Sequence, residues 1–297
     1  MKDKHYLIRG VTISIPEYTD DIESVLDRLI KKLEERNVKI YKIISINEVF
    51  DGLKVPRDRI PQVDAKGDIL ITIGGDGTVL KTLLVTKDKD MPILSIGLGE
   101  LNFISSTDRN SYLQDINSLF EGRFYIRSEM RLDVNIPDSD LNLPPILNEV
   151  LYHSSKIGKT LLPIVEVKIR NYREVLWSVK SDGVLVSTPI GSTAYSYAAG
   201  GPIVDTDLEA IVITPLIPTT KIPSYVLSPE TKIILRADKS RSSPCIVLDG
   251  QIIVNLDWDQ EVEISRSHRP ANIITFYKNT NLVRMKRVAE RYGGVRE

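Results

Sequence analysis

GDILITIGGDGTVLKTLLVT, residues 67 to 86, decides the fold prediction, because a β-branched apolar run passes through a glycine-rich turn into a helical pattern. Its first seven residues predict a buried strand, and its last nine predict a short helix. Between them, Gly74, Gly75 and Gly77 surround one acidic residue, Asp76. Such a turn lies at the carboxyl edge of a parallel sheet, where open α/β folds bind ligands.

The sequence on either side of this stretch predicts an α/β fold for the N-terminal part. Further strands are predicted for HYLIRGVTISI (5–15), VKIYKIISI (38–46) and MPILSIG (91–97). DDIESVLDRLIKKLEERN (20–37) carries apolar residues at helical spacing. Because strands that alternate with helices favour a parallel sheet layered by helices, we predict an α/β, Rossmann-like domain.

The pattern changes near residue 123. From there to residue 275, short β-branched runs are separated by Pro, Gly, Asp and Ser, which predicts an all-β, sandwich-like domain. TNLVRMKRVAERYG (280–293) is then predicted to form a final amphipathic helix. A chain of 297 residues is long for one core, which agrees with two domains.

Charge and cysteine content exclude several classes of protein. Lys and Arg total 39 against 40 acidic residues, so the summed field gives no reason to expect binding to nucleic acid or to an anionic membrane. No stretch has the length of apolar sequence needed to span a bilayer. The single cysteine, Cys245, cannot form an internal disulfide, and a reducing cytoplasm is the predicted location.

The glycine turn suits a phosphate, because glycines let backbone N–H groups approach an anion and the following helix points its positive end there. A carboxylate in that place repels a phosphate unless Mg²⁺ or a reacting hydroxyl lies between them, as in a kinase. Ionised at neutral pH, Asp76 can accept the proton of an attacking hydroxyl. The structural alternative is a tight turn in which Asp76 only caps the helix. No GxxxxGK[ST] motif is present, and GLGELN (97–102) lacks the third glycine of a dinucleotide fingerprint.

A second cluster, SDGVLVSTPIGSTAYSYAAGGPIV (181–204), combines hydroxyl side chains with two groups of glycines. Hydroxyls beside glycine can bond a base edge or a ribose, and Tyr195 offers an aromatic face or its OH. Any single serine or threonine here is more often part of a self-satisfied turn, so the whole cluster carries the interpretation.

Six motifs in order give the chain a resemblance to the NAD kinase family, whose members pass the terminal phosphate of ATP to the 2′-hydroxyl of the adenosine ribose of NAD. The matches are GGDGT (74–78), Asn148-Glu149, Asp182-Gly183, TPIGSTAY (188–195), GGP (200–202) and DGQ (249–251). GGDGT also occurs in lipid kinases and phosphofructokinases, so the GSTAY element decides.

The resemblance implies a role for each matching residue. Asp76 would accept the proton, Asn148 and Glu149 would hold ribose hydroxyls or the adenine, and Asp182 would contact a base or the nicotinamide amide. The implied nucleotide-binding residues are Gly74, Gly75, Gly77, Thr78, Lys81, Asn148, Glu149, Lys159, Lys180, Asp182, Ile190, Ser192, Thr193, Ala194, Tyr195, Ser196 and Gln251. None of them is assigned as a metal ligand.

The resemblance also implies an architecture and ligands. The last segment would return to the first domain, so that residues 1–122 with 276–297 form the α/β domain and 123–275 the NAD-binding β domain. NAD would lie in the cleft between the domains, with Mg²⁺ and ATP as the other ligands. Dimers or tetramers are expected, with neighbouring subunits completing each site.

The chain departs from the family pattern near the nucleotide pockets. The family's GxNxGxLGFL appears as SIGLGELNFI (95–104), with Gly97 where Asn is usual and Asn102 where Gly is usual. Thr219 replaces the usual histidine, whereas Phe103 is retained and is a candidate to pack against the base.

Two rival hypotheses remain open at this point. One is a lipid or sugar kinase that shares only GGDGT, which would leave residues 188–195 unexplained. The other is a non-catalytic sensor that binds NAD(H) or NADP, in which the departures mark lost turnover. Dinucleotide binding without ATP consumption would favour the sensor.

Overall fold

The computed structural model describes residues 7–51, 60–87, 91–99, 102–137, 139–156, 158–238, 242–276 and 286. The strands are, in chain order, β1 (Gly10–Ile15), β2 (Lys39–Ser45), β3 (Ile69–Gly74), β4 (Ile93–Gly97), β5 (Thr107–Asp108), β6 (Tyr125–Glu129), β7 (Leu132–Asn135), β8 (Glu149–Ser154), β9 (Pro163–Ile169), β10 (Tyr172–Ser178), β11 (Gly183–Ser187), β12 (Ile211–Leu216), β13 (Tyr225–Leu227), β14 (Lys232–Ala237), β15 (Pro244–Leu248), β16 (Ile252–Asn255), β17 (Val262–Arg266) and β18 (Ala271–Thr275). The helices are α1 (Asp20–Glu34), α2 (Ile46–Asp51), α3 (Asp76–Val85), α4 (Tyr112–Phe120) and α5 (Tyr195–Ala198), with a 3₁₀ turn at Gly191–Thr193.

The chain forms two compact units. Unit 1 gathers Met1–Lys54, Pro61–Ser128 and Ala271–Glu297, and unit 2 consists mainly of Glu129–Pro270. Within the described ranges, no helix has both the length and the apolar character needed to cross a membrane.

Unit 1 is built on a sheet with the strand order β2-β1-β3-β4-β18-β6, and β5 also pairs with β4. The pairs β1–β2, β1–β3, β3–β4 and β4–β18 are all parallel. Every residue of β1 and β3 is buried, which explains why both strands, apart from Ser14, consist of glycine and apolar or β-branched residues. The Thr19 hydroxyl caps α1 by accepting from the N–H of Ile22. The predicted α/β class is confirmed.

Strand β18 belongs to the sheet of unit 1, where Ile273 pairs in parallel with Ile93 of β4. Strand β18 therefore belongs to the first unit, whereas the returning segment implied by the resemblance, 276–297, lies outside the described residues apart from residues 276 and 286. The sequence prediction placed residues 271–275 in the β domain, because a β-branched run has the same period in either domain and only its pairing partner distinguishes them. The predicted final helix at 280–293 lies, apart from residue 286, outside the described residues.

Unit 2 is β-rich, as predicted, and contains two antiparallel sheets. One has the order β10-β9-β14-β17-β7 and the other β13-β12-β11-β8-β15-β16. In the six-stranded sheet, Glu149 of β8 pairs with Ser187 of β11, whereas His153 pairs with Gly183. Leu248 of β15 pairs with Val150. The start of β8, the end of β11 and the β15–β16 turn therefore share one end of this sheet.

Candidate active site

The three glycines of the unit 1 turn differ in whether the surrounding structure leaves room for a side chain. Gly74 has a φ of +150°, and a Cβ there would overlap the Thr78 hydroxyl and lie 3.3 Å from Cδ of Pro16. A Cβ on Gly75 would meet nothing closer than 3.9 Å, and one on Gly77 nothing within 4 Å. Of the three positions in this turn, packing therefore requires glycine only at 74. The open space at 75 and 77, at the start of α3, fits the close approach of a phosphate.

The Asp76 carboxylate accepts hydrogen bonds from the backbone of a segment that follows β4. Its Oδ2 accepts from the N–H of Phe103 at 2.9 Å and its Oδ1 from the N–H of Ile104 at 3.1 Å. Asp76 is the first residue of α3, and the cap position belongs to Gly75. These bonds fix the carboxylate in place.

The two departures beside this turn form one packing unit. The amide of Asn102 donates from Nδ2 to the carbonyl of Gly99 at 2.7 Å. A Cβ on Gly97 would lie 2.5 Å from that Nδ2 and 2.6 Å from Oγ of Ser105. The Asn102 side chain therefore occupies the space in which a Cβ at position 97 would lie. Glycine at 97 leaves room for this side chain, and asparagine at 102 fills the space that glycine leaves.

Lys81, on α3, faces α2. Its ammonium donates to Oδ1 of Asn47 at 2.8 Å and lies 5.5 Å from the centroid of the Phe50 ring. Its predicted contact with a nucleotide remains a prediction, as does that of Thr78, whose side chain is buried.

In unit 2, the start of β8 carries two polar side chains that are buried with atoms left unbonded. Asn148 is 9% exposed and Glu149 is 7% exposed. No described residue is a hydrogen-bond partner of Oδ1 of Asn148 or of Oε2 of Glu149. Buried polar atoms are nearly always bonded in folded proteins, so these two unbonded atoms make the start of β8 a candidate site for a ligand.

A carboxylate from the β15–β16 turn holds this segment. Oδ1 of Asp249 accepts from the N–H groups of Asn148 at 2.7 Å and Glu149 at 3.2 Å, and Oδ2 accepts from Leu147 at 2.9 Å. Sequence reasoning missed Asp249, because Asp-Gly before a strand is a common hairpin turn and the motif DGQ suggested only Gln251. Gln251 is half-buried and donates its N–H to the Leu248 carbonyl at 2.9 Å.

The loop after β11 packs directly on the same segment. The Thr188 hydroxyl donates to the Leu147 carbonyl at 2.6 Å, and the Thr188 N–H donates to the Asn148 carbonyl at 2.9 Å. A Cβ on Gly191 would overlap the Asn148 carbonyl and lie 2.6 Å from its Cα. Two motifs that lie about forty residues apart in the chain are therefore neighbours in unit 2.

Several hydroxyls of this loop are used within the protein. The buried Ser192 hydroxyl donates to the Pro189 carbonyl at 2.6 Å and accepts from the Val204 N–H at 2.9 Å. The buried Ser196 hydroxyl shares a 2.8 Å hydrogen bond with Thr214.

Three members of the loop are more accessible: Thr193 and Ala194 are half-buried, and Tyr195 is 44% exposed. Ile190 is buried, and the Thr193 hydroxyl donates to its carbonyl at 3.1 Å. The nucleotide contacts of these residues remain predictions.

The site in unit 2 contains two buried carboxyl groups. Burial and, to a smaller extent, the nearby charge of Asp249 together raise the pKa of Glu149 to about 8. Burial also raises the pKa of Asp249 to about 6, although its three backbone hydrogen bonds and the charge of Arg131 oppose that rise. Glu149 is therefore largely protonated at neutral pH, and a protonated carboxyl can donate a hydrogen bond.

Three of the predicted binding residues lie elsewhere in unit 2. Asp182 precedes β11, and its N–H donates to the Leu216 carbonyl at 2.9 Å. The Lys180 carbonyl accepts from the Thr219 hydroxyl at 3.0 Å, and Lys159 is exposed. Since Glu149 pairs with Ser187, Asp182 is displaced from it by five residues along β11, which is about 16 Å. One chain does not bring Asp182 to the Asn148–Glu149 pair.

Comparison with known proteins agrees with this architecture. An NAD kinase from Archaeoglobus fulgidus in complex with ATP matches with a TM-score of 0.73 and 24% identity, over 94% of this chain and 98% of that one. Yeast NADH kinase complexed with NADH matches with a TM-score of 0.79 and 21% identity, over 97% and 89% of the two chains. These likenesses show the fold class: an α/β unit joined to a β-rich unit.

Sequence comparison shows the family. The model of the ATP-NAD kinase N-terminal domain matches residues 17–124, and that of the C-terminal domain matches residues 147–276. The NAD kinase of Methanothermobacter thermautotrophicus is 32% identical over 257 residues, which cover 86% of this chain and 87% of the relative. That of Pyrococcus furiosus is 32% identical over 236 residues, 80% of this chain and 83% of the relative. The chain belongs to the NAD kinase family, a family of phosphotransferases, and this confirms the resemblance. A lipid or sugar kinase sharing only GGDGT would not match both domains.

Proposed function

We propose that this chain catalyses the Mg²⁺-dependent transfer of the terminal phosphate of ATP to the 2′-hydroxyl of the adenosine ribose of NAD, giving NADP. The observation that carries the proposal is the pair of buried, unbonded atoms, Oδ1 of Asn148 and Oε2 of Glu149. A ribose offers adjacent hydroxyls, each able to donate and to accept a hydrogen bond. Two adjacent ribose hydroxyls would therefore form hydrogen bonds with both of these protein atoms at once.

The ribose would be held by complementary bonds. Oδ1 of Asn148 can accept from one hydroxyl, while protonated Glu149 can donate to the oxygen of the other. The half-buried surface at Thr193, Ala194 and Tyr195 would contact the adenosine, with the aromatic ring of Tyr195 offering a face to the base.

In unit 1, the open side of Gly75 and Gly77 would admit the triphosphate at the start of α3. Bound with ATP, Mg²⁺ would screen the charge of the phosphates, including their repulsion from Asp76. Asp76, fixed by the N–H groups of Phe103 and Ile104, would take the proton of the 2′-hydroxyl. The bond from the 2′-oxygen to the γ-phosphorus forms as the bond to the ADP oxygen breaks.

The ligands of the solved relatives support this reaction. One relative is in complex with ATP and the other with NADH, which are a phosphate donor and a dinucleotide acceptor. We propose that this chain likewise uses ATP as phosphate donor and NAD or NADH as acceptor.

We further propose a cytoplasmic homodimer or homotetramer in which Asp182 of one copy completes the site of another. The distance of about 16 Å along β11 between Asp182 and the level of Glu149 supports this arrangement. Mixing an Asn148→Ala variant with an Asp182→Ala variant should restore activity that neither has alone. If the mixture stays inactive although the copies exchange, Asp182 acts within its own chain.

The test of the function is a coupled assay. Purified protein is incubated with Mg²⁺, with NAD or NADH, and with ATP or polyphosphate, and the product is detected with a strictly NADP-dependent dehydrogenase. NADP or NADPH is expected, and the active pairing identifies donor and acceptor. Tight dinucleotide binding without product under any pairing would refute the kinase and favour the sensor.

A further inference from the structure

The carboxylate of Asp249 is not explained by the turn in which it lies. Asp249 and Gly250 have φ angles of +48° and +66°, so both are left-handed residues of the connection between Leu248 of β15 and Ile252 of β16. Asparagine suits this position at least as well and carries no charge. Asp249 is only 2% exposed, so the turn buries a charge that it does not need.

The charge is used on the segment that leads into β8. One carboxylate accepts from three consecutive N–H groups, those of Leu147, Asn148 and Glu149, which lie about a hundred residues earlier in the chain. In return the Asp249 N–H donates to the Glu149 carbonyl at 3.0 Å. An amide in place of the carboxylate would turn a donor NH₂ toward at least one of these N–H groups. The carboxylate therefore fixes the backbone from which both ribose-binding side chains project.

The same carboxylate acts on Glu149 through space. The negative charge of Asp249 disfavours ionisation of Glu149, while Arg131, on the segment before β7, favours the charged form of Asp249. Between two close buried carboxyl groups, the one with three N–H donors keeps its charge and the other keeps the proton.

We propose that Asp249 is a positioning residue for NAD, which fixes the Asn148–Glu149 backbone and makes Glu149 a hydrogen-bond donor to the ribose. The inference rests on the proposed function, because it assigns the ribose to this pair. It adds that dinucleotide binding depends on a proton at Glu149, held there by a residue that does not touch the ligand.

The experiment measures NAD affinity by calorimetry between pH 6 and 9. Wild-type affinity should fall by about tenfold per pH unit once pH exceeds the pKa of Glu149. In Asp249→Asn this decline should begin at least about one pH unit lower, so that binding is weak at pH 7.5 and recovers at pH 6. A purely structural defect would weaken binding equally at every pH and would not recover.

Two further variants make the result decisive. Glu149→Gln cannot lose a proton at position 149, so its NAD affinity should not decline between pH 7 and 9. Asp259→Asn removes an exposed charge of the same unit and should reproduce the wild-type profile. If Asp249→Asn does not fold, the Glu149→Gln profile decides alone, and a wild-type pH dependence in that variant overturns the inference.

The outcomes separate the inference from the proposed function. If wild-type protein makes NADP but Asp249→Asn has the wild-type profile, or is weakened equally at every pH, only the inference fails. If wild-type protein binds NAD with the expected profile but makes no NADP, only the kinase proposal fails. No binding of NAD at any pH refutes both.

Discussion

Replacing Gly97 by alanine tests whether positions 97 and 102 form one packing unit. The new Cβ would lie 2.5 Å from Nδ2 of Asn102, 2.7 Å from its Cγ and 2.6 Å from Oγ of Ser105. Real Cβ atoms do not approach heavy atoms so closely, so the Asn102 side chain must move. Overpacking of this kind costs about 1–3 kcal/mol. Alanine also reduces the freedom of the unfolded chain, which offsets about 0.4–1 kcal/mol. We expect a net loss of about 1–2 kcal/mol in the free energy of unfolding.

The same substitution should behave differently once the amide is absent. Asn102→Gly alone removes the hydrogen bond to the Gly99 carbonyl, a loss of about 1 kcal/mol. In that background, Ser105 Oγ is the one of the three nearest atoms that remains, and this hydroxyl can rotate away, so the effect of Gly97→Ala should shrink to near zero or become stabilising. The coupling free energy should therefore be about 1–2 kcal/mol.

Urea denaturation followed by far-UV circular dichroism measures all four corners of this cycle. Gly77→Ala is the matched control, since its Cβ meets nothing within 4 Å and alanine favours a helix. Additive effects of Gly97→Ala and Asn102→Gly, with no coupling beyond error, would show that the amide of Asn102 does not occupy the space above Gly97.

Further predictions concern activity and pH. Asp76→Asn should raise the barrier to phosphate transfer by roughly 3–6 kcal/mol in the coupled assay, and near-normal turnover would remove Asp76 from the chemistry. Gly77→Ala should keep or increase stability in urea yet raise the KM for ATP, and an unchanged KM would place the phosphates elsewhere. Because the folded-state pKa values of Glu149 and Asp249 are raised, to about 8 and about 6, the stability they contribute is present at low pH and lost as pH rises toward 8. The free energy of unfolding of the unliganded protein, measured by urea denaturation, should fall by about 1.4 kcal/mol per pH unit for each group that titrates in this range. A midpoint that rises with pH would contradict the burial of these carboxyl groups.

Sequence patterns predicted the class of each unit, because strand and helix periods are local properties of the chain. A strand over 67–73 and a helix over 78–86 were both predicted from this stretch, and the structure has β3 (Ile69–Gly74) and α3 (Asp76–Val85) there. The pairing of β18 with β4 was not visible in its own pattern. The pattern of a β-branched run indicates which face of the strand is buried, but it does not indicate which strand pairs with it.

The candidate site divides in the same way. Motif spacing and the family resemblance identified Asn148, Glu149 and the loop from Thr188. They did not predict the contact between these two segments or the hydrogen bonds from the Asn148 and Glu149 backbone to the Asp249 carboxylate. The roles proposed for Lys81 and Asp182 remain predictions, with Lys81 bonded to Asn47.

By itself, the sequence determined the order of strands and helices, the glycine turn with its acid and the membership of a family, since each depends on residues close together in the chain. Only the tertiary structure decided that Asp249 accepts hydrogen bonds from a segment about a hundred residues away and that Asn102 fills the space above Gly97. Such contacts depend on strand register and loop path, which are set by the packing of the whole unit, and many registers are compatible with the same local pattern.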